Sequence, residues 1–212
     1  MFYWVKTHWI VKKIFSVFVW EIPNNQHKIY LTFDDGPTPE ITEWVLDLLK
    51  KHNAKATFFC IGKNVENNPD IFQSIINQGH SIGNHTHNHL NGWKTSTSNY
   101  IENVKNCFFN NHEKTRLFRA PYGKITPLQS RIIKKLGYKI IMYDVLSADF
   151  DASISKTKCL ENVLKNIRPG SIVVFHDSQK AFKNLEFVLP KTLDFIARKG
   201  WFCDKIDSKN LQ

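Results

Sequence analysis

Residues 29–37 read Ile-Tyr-Leu-Thr-Phe-Asp-Asp-Gly-Pro. The first five are aliphatic, aromatic or β-branched and carry no charge, which predicts a short buried strand. Asp34 and Asp35 follow at its end, and Gly36-Pro37 then stops the strand and opens a loop. One interpretation is an Asx-type turn. The other is a pair of carboxylates that reach one cleft, which we favour because histidine and arginine motifs follow at the ends of later predicted strands.

Downstream of this stretch, predicted strands and helices alternate. This order predicts parallel βαβ units, with about one strand fewer than a complete (β/α)₈ barrel and with the functional site where the strands end. The predicted strands are 29–33, 56–61, 81–83, 116–118, 138–143, 171–175 and 201–206. The predicted helices are 39–51, 69–77, 98–112, 126–136, 155–167 and 184–199.

Composition narrows the class of protein. A chain of 212 residues suits one domain, and 42% hydrophobic with 23% charged residues argues against wholesale disorder. The net charge of +10 favours a polyanionic partner or surface, but no basic run is interleaved with stacking aromatics, so a nucleic-acid groove is not indicated. The cysteines are far apart and form no CxxC pair, so we expect separate thiols at Cys60, Cys107, Cys159 and Cys203.

Residues 1–26 form an aromatic and basic segment ahead of the main domain, which we assign to 27–212. The uninterrupted apolar run 14–20 is too short to span a bilayer, and no small-residue cleavage site precedes Glu21. The segment either packs on the domain or lies at a membrane interface as a weak anchor. We favour packing; a cytoplasmic and a cell-envelope location both stay open, as does the oligomeric state.

A histidine motif, Gly-Asn-His-Thr-His-Asn-His, occupies residues 83–89. The i, i+4 spacing of His85 and His89 predicts two rings on one face of a helical turn, where they can share a metal. Asp35 would complete a two-histidine, one-carboxylate set, which suits Zn²⁺, with Fe²⁺, Co²⁺, Ni²⁺ and Mn²⁺ as alternatives. The loop could instead be solvated. Trp93, nearby, is a candidate sugar-stacking residue or a core or lid aromatic.

Two further motifs end predicted strands. In Phe-Arg-Ala-Pro-Tyr-Gly at 118–123, Arg119 can clasp a carboxylate with two parallel donors, and pairing with Asp34 would keep that aspartate ionised; a surface arginine before a turn is the alternative. In Val-Val-Phe-His-Asp at 173–177, His176 stands at a strand tip. A carboxylate partner such as Asp149 would hold its tautomer and raise its pKa for proton transfer.

Five stretches taken together resemble the ordered motifs of the polysaccharide deacetylases, carbohydrate esterase family four. They are Thr-Phe-Asp-Asp-Gly-Pro at 32–37, His-Thr-His-Asn-His at 85–89, Arg-Ala-Pro-Tyr-Gly at 119–123, Asp-Phe at 149–150 and Val-Phe-His at 174–176. The resemblance covers about residues 27–206 and implies a distorted (β/α)₇ barrel, in agreement with the strand count.

The resemblance implies a role for each matched residue. Asp34 would be the general base, oriented by Arg119, and His176 the general acid, tuned by Asp149. The metal ligands would be Asp35, His85 and His89, and the Tyr122 backbone N–H would help to stabilise the oxyanion. Candidate lining residues are Pro121, Trp93, Phe150 and Val174.

The resemblance also implies an activity: removal of acetyl groups from N-acetylated sugars in peptidoglycan, a chitin-like polymer or an oligosaccharide, giving acetate and a free amine. Leu146, Phe150 and Val174 depart from the family's usual Asp, Trp and Leu, which affects the shape of the acyl pocket and the choice of substrate. An O-acetyl xylan esterase with the same machinery is one alternative. A catalytically silent carbohydrate-binding domain is another, disfavoured by the intact Asp34 and His176.

Overall fold

The computed structural model describes residues 3–107, 116–207 and 211. The strands are β1 (Lys28–Asp34), β2 (Thr57–Cys60), β3 (Ser81–Asn84), β4 (Leu117–Phe118), β5 (Lys139–Ile140), β6 (Val145–Leu146), β7 (Ile172–His176) and β8 (Phe202–Cys203). The helices are α1 (Trp9–Ile14), α2 (Ile41–Lys51), α3 (Gly62–Asn67), α4 (Pro69–Asn77), α5 (Thr97–Lys105), α6 (Pro127–Lys135), α7 (Lys156–Leu164) and α8 (Gln179–Arg198).

The strands form one parallel sheet in the order β5-β4-β3-β2-β1-β7-β6, and β8 pairs with the start of β1. The sheet curls into a half-barrel with flanking helices, which confirms the distorted (β/α)₇ barrel. Because all strands of the main path run in the same direction, their carboxyl ends meet at one edge.

The strand β1 lies at the centre of this sheet. It is almost fully buried, as expected for a parallel strand covered on both sides. The ring of Phe33 stacks between Phe58 of β2 and Phe175 of β7, with centroids 5.1 and 5.9 Å away. Asp34 pairs in register with His176, so this packing brings the ends of β1 and β7 side by side.

Several predicted elements differ from the structure. The strand β6 is not predicted because it follows β5 after only four residues, in an apolar stretch that suggests a single strand at 138–143. The predicted last strand is shorter in the structure and pairs off the main path. Helix α8 begins at Gln179, five positions before the predicted start at 184. Helix α5 ends at Lys105, whereas 108–112 of the prediction lie outside the described residues. Helices α1 and α3 were not predicted.

The N-terminal segment connects the two edge strands of the half-barrel. Val19 pairs with Ile141 just beyond β5, and Lys6 pairs with Val145 in β6. The Leu146 N–H donates to the carbonyl of Val5 at 2.8 Å. These bonds occupy edges that would otherwise leave backbone groups unpaired. Among the described residues, no helix is both long and apolar enough to cross a membrane.

A buried carboxylate fastens this segment to the sheet. The Asp144 side chain is fully buried and forms ion pairs with Lys6 and Lys12. It also accepts a hydrogen bond from Ser171 Oγ at 2.6 Å.

The expectation of separate thiols is confirmed: all four cysteines are free.

Candidate active site

Arg119 holds Asp34 at the end of β1. Its Nη1 donates to Asp34 Oδ1 at 2.7 Å and to Thr32 Oγ1 at 2.7 Å. Its Nε and Nη2 donate to the carbonyls of Ile141 and Met142 at 3.2 and 3.0 Å. The predicted ion pair is therefore present, but the expected two-donor clasp is not, because the remaining donors of the guanidinium bind other groups.

Asp35, His85 and His89 form the candidate metal centre. One ligand atom from each lies within 4.8 Å of the others. His85 Nε2 and His89 Nε2 are 3.8 and 3.2 Å from Asp35 Oδ1, a buried oxygen with no hydrogen-bond partner. The carbonyl of Arg119 lies 2.9 Å from His85 Nδ1, which fixes the proton on that nitrogen and leaves Nε2 as the ligand atom.

Electrostatics at this centre favour a metal-ready protonation state. Burial raises the pKa of the Asp35 carboxyl, but the imidazoles of His89, His176 and His85 outweigh burial, so the pKa lies well below its usual value. Burial lowers the pKa of His85 to about 4, which keeps this ring neutral at neutral pH. An ionised carboxylate and a neutral imidazole are the forms that bind a metal.

The two histidines do not meet on a helical turn, which corrects that expectation. Strand β3 ends at Asn84, and residues 85–89 form a loop in which Thr86 and His89 have φ of 62° and 55°. These left-handed residues turn the chain so that the rings of His85 and His89 lie 5.1 Å apart. Asp35 is also left-handed, with φ 85°. Such conformations are costly and recur at functional sites.

His176 and Asp149 form the second charged pair. His176 Nδ1 lies 2.8 Å from Asp149 Oδ1, and the His176 backbone N–H donates to Asp149 Oδ2 at 2.8 Å. Burial lowers the pKa of His176, but Asp149, Asp35 and Asp34 outweigh burial and raise it to about 9. The imidazole is thus a fixed, charged proton donor at neutral pH.

Of these groups, all but Asp149 line one cavity of about 510 Å³. The residues that line it are Asp34, Asp35, His85, His89, Arg119 and His176, and also Tyr122, Leu146, Phe150 and Val174. Asp149 stands behind His176, fully buried. Trp93 and Pro121 are not among the lining residues: Trp93 is 66% exposed, and Lys124 lies over its ring at 5.2 Å.

Asp177, next to His176, is a buried residue that supports the site and whose role the sequence did not reveal. Its carboxylate accepts hydrogen bonds from the Gly36 N–H at 3.0 Å and from Thr42 Oγ1 at 2.6 Å. It thereby ties the loop after β1 to the end of β7. A Cβ built on Gly36 would lie 1.9 Å from Asp177 Oδ2, so only glycine fits. Burial raises the pKa of Asp177 to about 7.

Comparison with known proteins agrees with this geometry. The family described as polysaccharide deacetylase matches residues 21–141. A peptidoglycan-N-acetylglucosamine deacetylase from Bacillus cereus is 36% identical over 86% of this chain and 87% of its own length. A chitooligosaccharide deacetylase from Azorhizobium caulinodans is 35% identical over 74% of this chain and 76% of its own length.

A solved structure is similar as well. It is that of a peptidoglycan N-acetylglucosamine deacetylase bound to a substituted N-oxidanyl-benzamide. It superposes with a TM-score of 0.81 at 32% identity, covering 90% of this chain and 91% of that one. Strand order, site geometry and sequence therefore agree, and the chain belongs to the polysaccharide deacetylase family.

Proposed function

We propose that this protein is a metal-dependent hydrolase that removes the acetyl group from N-acetylglucosamine residues of a glycan, with peptidoglycan as the substrate class, giving acetate and a free amine. One observation carries the proposal: a single cavity combines a carboxylate held by an arginine, an imidazole held by a second carboxylate, and a two-histidine, one-carboxylate cluster. The relative from Bacillus cereus supports the choice of substrate.

Asp35, His85 and His89 would hold the metal. Metal dependence is general in this family, and the orphaned Asp35 Oδ1 fits a metal ligand because a buried carboxylate oxygen without a partner is costly. Two imidazole nitrogens with one carboxylate oxygen suit Zn²⁺ and leave open positions. When bound, the ion would polarise the acetyl carbonyl as a Lewis acid.

Asp34 would act as the general base. Its Oδ1 accepts a hydrogen bond from Arg119 Nη1 at 2.7 Å, and the carboxylate, which lines the cavity, would accept a proton from the attacking water. Because Arg119 is itself fixed by three other acceptors, the carboxylate keeps its position in the cavity. Arg119 is therefore proposed as a positioning residue.

His176 would act as the general acid toward the leaving amine. Its Nδ1 is committed to Asp149, so Nε2 is the atom that would release the proton. With its pKa raised to about 9, the imidazole is protonated at neutral pH, as a general acid requires. The backbone N–H of Tyr122, in a residue with φ 60°, would bind the oxyanion.

Leu146, Phe150 and Val174 give this cavity an apolar part suited to the methyl of an acetyl group. An O-acetyl ester would meet the same catalytic groups. The test is acetate release by chelator-stripped protein, before and after Zn²⁺ or Co²⁺ is restored, on N-acetylglucosamine oligomers, peptidoglycan and acetyl-xylan. We expect metal-restored release from the N-acetylated glycans. Acetate release from acetyl-xylan alone, or no acetate release from any substrate by protein that has bound metal, would contradict the proposal.

A further inference from the structure

The start of the chain reaches the catalytic cavity. Tyr3 and Trp4 line the cavity that contains Asp34 and His176, although they are remote from every motif in sequence. Their position is set by the backbone, because Val5 accepts a hydrogen bond from Leu146 in β6 at 2.8 Å. The N-terminal segment therefore forms part of the cavity wall as well as covering a sheet edge.

Tyr3 connects to the catalytic histidine through one aromatic ring. Its hydroxyl donates to Asp151 Oδ2 at 2.7 Å, and its ring meets Phe150 edge-on with centroids 5.6 Å apart. Phe150 in turn meets the His176 ring edge-on at 5.0 Å. Burial and the Asp151 carboxylate raise the pKa of Tyr3 to about 12, so the hydroxyl stays a donor. These contacts restrict where Phe150, and with it the His176 ring, can lie.

Trp4 offers a large aromatic surface to the cavity. The side chain is 48% exposed, which leaves about half of it for contact with another molecule. An indole with one apolar body and one polar edge is suited to pack against the apolar face of a sugar ring. Asp34, Asp35 and His176 line the same cavity and would surround the acetyl group, so Trp4 would contact a sugar beside the one whose acetyl group is removed.

We propose that Tyr3 and Trp4 form a substrate-binding wall, in which Trp4 packs on a neighbouring sugar ring of an N-acetylated glycan and Tyr3 is a positioning residue for Phe150 and His176. This inference rests on the proposed function. It makes the N-terminal segment part of substrate recognition, and it predicts that longer oligomers gain more from Trp4 than the single sugar does.

The experiment measures kcat and KM for the N-acetylglucosamine pentamer and for the single sugar N-acetylglucosamine in Trp4→Ala, with Trp9→Ala as matched control. Trp9 is in the same segment and is 64% exposed but does not line the cavity. We expect Trp4→Ala to raise KM for the pentamer by about tenfold, the change expected when the packing of one aromatic ring on one sugar ring is lost, and to have a smaller effect on the single sugar. Trp9→Ala should leave both constants unchanged. Equal effects of the two variants would overturn the inference.

Two variants, Tyr3→Ala and Tyr3→Phe, test the positioning role of Tyr3. Tyr3→Ala should lower kcat several-fold, and Tyr3→Phe, which keeps the ring against Phe150, should restore most of it. An unchanged kcat in Tyr3→Ala would overturn the positioning role. If the wild type releases no acetate from any glycan, the proposed function itself fails. Calorimetric binding of the pentamer to Asp34→Asn protein, with and without Trp4→Ala, then still decides the recognition role, and equal binding would refute it.

Discussion

Two adjacent aspartates at the end of β1 have different partners. Asp34 continues the extended strand and meets Arg119, whereas Asp35 turns into the left-handed region at φ 85° and meets the histidines. Residue types and spacing were enough to predict both groupings. The left-handed conformations of Asp35, Thr86 and His89 were not predictable, because they depend on contacts between distant strands.

Gly36→Ala tests how closely this loop is packed. A methyl group would overlap the Asp177 carboxylate, so either the loop or Asp177 must move and the Gly36 hydrogen bond is lost. We expect a loss of about 1–3 kcal/mol in unfolding free energy, typical of overpacking, together with weaker metal binding. Urea denaturation and metal titration measure the two effects. If Gly36→Ala has the unfolding free energy and the metal affinity of the wild type, the close approach of Gly36 to Asp177 is unimportant.

Two variants in the same loop, His89→Ala and His87→Ala, test which histidine is a metal ligand. His89 Nε2 lies 3.2 Å from Asp35 Oδ1, whereas His87 is absent from the ligand cluster of the described residues. We expect His89→Ala to lower metal affinity by at least about tenfold and His87→Ala to leave it within about twofold. Metal titration with a competing chelator is the measurement. Similar affinities in the two variants would remove His89 from the ligand set.

At the scale of elements, length and periodicity decided what the sequence could predict. The strand β1 is seven residues long and β7 is five, and both are apolar enough to be recognised. The strand β6 follows β5 after only four residues, so the sequence does not separate the two. Helix α1 buries none of its side chains, so it has no apolar face to be recognised. The positions of Tyr3 and Trp4 in the cavity were beyond prediction because they depend on pairing across about 140 residues.

Between β2 and β3, a buried histidine makes stability depend on pH. His80 Nδ1 accepts a hydrogen bond from the Ala56 N–H at 3.2 Å, and burial, with Lys55 and Lys205 nearby, lowers the pKa of His80 to about 4. Between pH 4 and about 6.5 the unfolded chain therefore binds more protons at this residue, and stability falls as the pH falls.

His80→Asn keeps an acceptor for the Ala56 N–H but does not titrate. We expect its unfolding free energy to change less than that of the wild type between pH 7.5 and pH 5. Urea denaturation at the two pH values gives the comparison. If His80→Asn and the wild type lose the same unfolding free energy between the two pH values, His80 does not contribute to the pH dependence of stability.

At the scale of the whole molecule, the N-terminal segment is integrated into the barrel. It pairs with the backbone at both sheet edges and contributes two lysines to the buried Asp144. The sequence left packing and membrane anchoring open for residues 1–26, because aromatic and basic residues suit both. The contacts that attach the segment join Lys6 and Lys12 to a residue more than 130 positions away, which no local pattern reveals.

Asp144→Asn tests this attachment. The substitution takes away the carboxylate partner of Lys6, whereas Lys12 keeps Glu21 at 2.7 Å, and both lysines are partly exposed. We therefore expect a loss of about 1–3 kcal/mol in unfolding free energy. Glu161→Gln, which breaks the exposed pair with Lys165, is the control and should have little effect. Chemical denaturation compares the two. Equal stabilities of the two variants would show that the segment is not fastened through Asp144.

In the proposed mechanism, one of two neighbouring aspartates is the general base and the other is a metal ligand. The most direct measurement determines bound metal and acetate release together in Asp34→Asn and Asp35→Asn. We expect Asp34→Asn to keep its metal and lose at least about 100-fold in turnover, as for a general base, and Asp35→Asn to lose the metal as well. Full turnover in Asp34→Asn, or undiminished metal binding in Asp35→Asn, would contradict the account.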